Sequence, residues 1–182
     1  MKSLIIVLIG LVTSSHIALA EKTNTNPIDN LPKEWVNSKG QYVIKYANYI
    51  ESLGLKNITP YMVLQPHFKV RNEVSNSLPP KHLWKNIAET LKVIDKLSDT
   101  LGAEVEPFEL AYKSPAYNRA VKGRSRSQHL TNHAVRVTFV DVPPSKVAAT
   151  ARDLRSTGFF KGGVGNYRTY THIDTRGHNV DW

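Results

Sequence analysis

Gly102 divides this chain into two patterns, and that division most restricts what it can fold into. Before it, Leu83, Trp84, Ile87, Leu91, Ile94, Leu97 and Leu101 recur at helical spacing. Pro79-Pro80 can open that helix and Gly102 can close it. A second helix is expected over Gln41–Leu53, where Val43, Tyr46, Ala47, Ile50 and Leu53 share a face. Residues 55–80, with Pro60 and Pro66, read as irregular. After Gly102 the spacing shifts to strands, at Phe108–Tyr112 and at Ala134–Val142. A helix follows from Pro143-Pro144 to Gly158. Gly162–Gly165 then reads as a turn, with a strand running on to Asp174. Helices first and a small antiparallel sheet afterwards make an α+β domain, expected over residues 41–182.

Residues 1–20 have the layout of a secretory signal peptide. Lys2 precedes a short apolar run from Leu4 to Val12, and Ala18-Leu19-Ala20 stands before Glu21. The run falls short of the ~20 residues that cross a bilayer, so no integral membrane span is expected. Residues 21–40, rich in Asn, Thr, Pro and Ser, read as a flexible tether. The protein is therefore expected in the periplasm or outside the cell. The net charge is +9. An exported basic protein suits anionic envelope polymers, and export argues against nucleic acid. With no Cys, thiolate chemistry and Cys-type metal sites are excluded, so any metal would rest on His and Asp or Glu.

Four histidines fall in the last third: His129, His133, His172 and His178. In a strand, His172 and Asp174 of the triplet His172-Ile173-Asp174 share a face, which suits a metal ligand with its base or an acid–base pair. His129 and His133 have i, i+4 spacing, but Asn132 and the β-rich run after it argue against a helix there. Between Leu110 and Val140 no acidic residue occurs, while Lys113, Arg119, Lys122, Arg124, Arg126 and Arg136 do. Such a stretch is either a solvated face or a cradle for a carboxylate.

Four ordered segments resemble the zinc D-Ala-D-Ala carboxypeptidase family of murein peptidases. They are Ala111–Asn118, Ser125–Leu130, Gly162–Tyr167 and Thr171–Gly177, with Trp182 beyond them. The resemblance covers roughly residues 60–182 and implies a hedgehog-type scaffold acting on peptidoglycan stem peptides. It further implies zinc held by His129, by an Asp seven residues later, and by His172. Asp174 would be the catalytic group or an orienting one, and Lys113, Asn118 and Ser127 would meet the substrate. Two positions depart from the family pattern. Arg136 occupies the place of the ligand Asp, and a guanidinium has no lone pair for a metal. Lys113 stands where the family has Arg. His133 is a possible third ligand if the chain kinks at Asn132. Arg136, if not a ligand, is expected on the substrate side of the cleft, paired with Asp174. The expectation is an exported peptidase-like protein, with its zinc site either intact or degenerate, or a non-catalytic wall-binding or regulatory protein on the same fold.

Overall fold

The computed structural model describes residues 27–182. The signal-peptide reading lies outside them. The expected tether is corrected in its described part. Helix α1 spans Lys33–Lys39, Leu31 is buried, and the Trp35 ring packs edge-on against Phe68 at 4.6 Å. Apolar residues at 31, 35 and 36 give this polar stretch one sticky side, which outweighs its loop-like composition.

Helix α2 is Gln41–Glu51, and a short helix α3 spans Pro60–Leu64. The hairpin of β1 (Val70–Arg71) and β2 (Val74–Ser75) follows, within the stretch that reads as irregular. Helix α4, Trp84–Leu101, is the longest helix among the described residues and ends on Gly102 in the left-handed region. Its stripe of Trp84, Ile87, Leu91, Ile94 and Leu97 is buried, each side chain contributing about 1.5–3 kcal/mol. Tyr46 of α2 lies against Trp84 with ring centroids 5.0 Å apart.

Helix α5 is Pro115–Ala120, strand β3 is Ala134–Val137, and helix α6 is Pro144–Ser156. Strands β4 (Gly163–Asn166), β5 (Thr171–Asp174) and β6 (Val180–Asp181) complete the sheet. Its order is β3-β5-β4-β6, antiparallel except for the parallel β4/β6 edge. Directly paired residues share a face. Val135, Val137, Val164 and Ile173 therefore point together into the core under α4 and α6. Arg136, His172 and Gly165 are cross-strand partners on the other face.

Three expectations change here. The strand read through Val142 stops at Val137, and Asp141 sits exposed in a turn with φ 57°. The segment before it touches β3 through a single bridge, Leu110 to Arg136. Gly163–Asn166 is a strand, not a turn. A Cβ on Gly163 would come 2.5 Å from Asp174 Oδ2, and one on Gly165 2.5 Å from Trp182 Nε1. Glycine is there so that a carboxylate and an indole can lie against the strand.

Candidate anion-binding site on the sheet

His129 sits in a 3-10 turn, Gln128–Thr131, and is 3% exposed. Its Nδ1 lies 2.6 Å from the Ala111 carbonyl. A carbonyl can only accept, so Nδ1 carries the proton and Nε2 keeps a lone pair. That Nε2 is buried without a partner. Burial holds the ring's pKa well below the ordinary value, helped by His172 and the Lys113 charge. Asn132 follows in the left-handed conformation, φ 60°, and its Nδ2 donates to the Leu83 carbonyl at 3.1 Å.

That kink turns His133 away. Its Nδ1 pairs with Thr131 Oγ1 at 3.0 Å, and it lines a separate small cleft beside His178. The structure does not bring His133 together with His129 and His172. The His129 and His172 rings, in contrast, meet edge to face with centroids 5.1 Å apart.

Asp174 lies beneath His172 and is fully buried. Its Oδ2 accepts from His172 Nε2 at 2.8 Å and from Arg176 Nη2 at 2.6 Å. Its Oδ1 accepts from the Gly163 and Arg176 backbone N–H groups and from Arg176 Nε at 2.8 Å. Burial opposes the charge, but the Arg176 fork and His172 outweigh it and hold the carboxyl well below its usual range. An ionised carboxylate so fully engaged fixes the His172 ring. The expected Arg136–Asp174 pair is corrected: Arg176, two residues along the same strand end, takes that carboxylate. Arg136 instead places its guanidinium 4.6 Å from the centroid of the Tyr170 ring, a cation–π contact.

Lys113 enters from the other side. Its backbone N–H donates to the His129 carbonyl at 3.0 Å, and the side chain is 4% exposed. Burial, with Arg136 adding to it, pushes the ammonium down to about 8. Ser114 caps α5 by accepting from the Tyr117 N–H. Asn118 on that helix donates to the carbonyls of Gly123 (3.3 Å) and Arg124 (3.2 Å), while its buried Oδ1 has no partner. Gly123 passes so close that a Cβ would come 2.8 Å from Lys113 Nζ and would collide with the Asn118 amide. Ser127 borders the mouth, where its N–H donates to Arg124.

One pocket of about 860 Å³ opens among these groups, with the buried Asp174 and Asn118 set back from its lining. His129, His172, Lys113 and Arg136 line it, and Arg124 and Arg126 come from the loop beside Gly123. The acidic residues on its lining are Glu109 and Asp181, and Asp181 is already paired with Arg152 and Arg155. Trp182 forms one wall, 5.0 Å from the His172 ring between centroids. The acid-free stretch before Val140 signals the arginines on the loop. Lys69 and Arg71, on and next to the β1–β2 hairpin, line the pocket too and have no comparable signal.

The donor set does not fit zinc. His129 offers Nε2, and His172 has Nδ1 left once Nε2 is bound to Asp174. Arg136, paired across the strands with His172, has no lone pair to offer a metal. Among the described residues, no group of three or more His, Asp or Glu is gathered that could hold a metal. Catalytic zinc sites ordinarily need three protein ligands.

A search of curated proteins and a search of solved structures found no match. A sequence profile of the family described as Peptidase M15 matches residues 65–174, more than half of the chain and most of the pocket lining, with Arg176, Asp181 and Trp182 beyond it. The chain thus belongs to the Peptidase M15 family, the zinc D-Ala-D-Ala carboxypeptidases, with Arg136 opposite His172 on the neighbouring strand.

Proposed function

We propose that this protein is exported and binds the C-terminal carboxylate of peptidoglycan stem peptides without cleaving them. The observation that carries the reading is Arg136 on the pocket face of β3, opposite His172. A cation at that position repels a metal dication and attracts a carboxylate. Lys113, nearly buried beside it, supplies the second positive group. A charge-assisted hydrogen bond in such a place contributes about 1.5–3 kcal/mol. His129 Nε2, an acceptor, suits the last amide N–H of the peptide. The apolar run and Ala18-Leu19-Ala20 support export.

The bare Nε2 of His129 is the one feature that favours a catalytic reading, since a family metal would use it. A calorimetric titration with a stem tetrapeptide ending in D-alanine, beside a cleavage assay with added zinc, decides between the two. Binding without cleavage, lost in Lys113→Ala, is the expected result. Zinc-dependent cleavage by the natural chain would overturn the proposal.

A further inference from the structure

We infer that the pocket selects peptides carrying a second carboxylate, on the side chain of the residue before the C-terminus, and that Arg124 and Arg126 receive it. This rests on the proposed binding of a peptide C-terminus at Lys113. One carboxylate leaves most of the pocket's positive charge uncompensated. Lys113 and Arg136 can share the terminal carboxylate, but Arg124 and Arg126 also line the pocket, and neither appears in an ion pair among the described residues.

The loop that carries them is a built feature. Asn118, itself 5% exposed, ties down the carbonyls of Gly123 and Arg124 through one amide. Asn72 on the hairpin donates to the Ala120 carbonyl at 2.7 Å and braces the end of α5 beside it. The close approach of Gly123 to Lys113 Nζ sets the scale. A ligand carboxylate on Lys113 is next to this backbone, so the next residue, ~3.8 Å further along its chain, lies beside Arg124 and Arg126. The unpartnered buried His129 Nε2 favours a ligand with an N–H donor near its carboxylate, which a peptide has and a fully ionised phosphate polymer lacks.

The test uses the full chain and two peptides ending in D-alanine, identical except for a carboxylate or a carboxamide on the preceding side chain. Calorimetry should show the acid form binding about tenfold tighter, with the difference shrinking at high salt. Arg124→Ala/Arg126→Ala should lower acid-peptide affinity about tenfold. Lys56→Ala/Lys92→Ala, an equal charge change on an exposed surface away from the pocket, should not. Equal affinities for acid and amide in the natural chain overturn the inference and leave carboxylate binding at Lys113 intact. Failure of both peptides overturns the underlying reading as well. Tripolyphosphate binding tighter than either peptide, with no acid–amide difference, assigns the arginines to a phosphate polymer instead.

Discussion

His67 and His129 are nearly twins in their local chemistry. Each lies in a 3-10 turn and is almost fully buried. Each places Nδ1 against a backbone carbonyl, of Ser77 at 3.0 Å and of Ala111 at 2.6 Å. Each leaves Nε2 buried without a partner. The strand-like segment around Tyr112 runs between them: His67 stacks on Tyr112 at 6.5 Å, and His129 bonds to its neighbour Ala111. Their surroundings differ. His67 has the amide of Asn76 close by, whereas His129 faces a second imidazole and two cations across an open pocket. An unpartnered ring nitrogen is therefore not a binding site by itself. The charges that share its space decide whether it packs, holds a metal or meets an anionic ligand.

Changing those charges should separate the pair most sharply. Two charges on zinc against one on Arg136, at ~5 Å and an effective ε of ~20, repel by about 6 kcal/mol. Arg136→Asp removes that repulsion and adds a ligand, so zinc affinity should rise about four decades, or two if screening halves the effect. Zinc calorimetry on Arg136→Asp and on Arg136→Asp/His129→Ala checks it. The second variant should lose the gain, and Arg136→Asp/His67→Ala should keep it. A gain that survives loss of His129 would break the contrast.

Stability should separate them the other way. His67→Ala opens a void inside the fold and should cost about 3 kcal/mol, while His129→Ala joins its space to the pocket and should cost about 1–2 kcal/mol. Urea unfolding at pH 7 reads both. Burial lowers the His67 pKa from 6.5 to about 4. The unfolded chain then binds more protons between those values, so stability falls as pH drops through that window. The loss is about 3 kcal/mol once pH 4 is passed. His129 adds a loss of the same sign. His67→Gln should remove its own share of that acid slope and leave the His129 share in place.

Lys113 gives a smaller effect at the other end of the scale. Its ammonium, lowered to about 8, is what a carboxylate needs. Peptide affinity should fall about tenfold per pH unit above 8, until it reaches the pKa that Lys113 has in the complex. A flat profile to pH 10 would mean that Lys113 does not contact the ligand.

The α4 stripe and the shared face of His172 and Asp174 were legible in the chain, because period and parity survive folding. The opposition of Arg136 and His172 follows from the same parity once β3 and β5 pair. What was hidden depends on contacts distant in sequence. Strand β4 reads as a glycine turn until the Trp182 indole and the Asp174 carboxylate are seen against it. The partner of Asp174 could not be chosen between Arg136 and Arg176 by type, since only the path of the chain beyond β5 places Arg176 within 2.6 Å. His133 was lost to one left-handed residue, Asn132.

In the proposed function, the Arg136 guanidinium takes the functional place of the metal. Peptide binding in the presence of a strong chelator tests it most directly. The natural chain, stripped of zinc and titrated with the acid-bearing peptide in excess EDTA, should bind as tightly as it does with zinc added. Binding abolished by EDTA and restored by one equivalent of zinc would contradict the account.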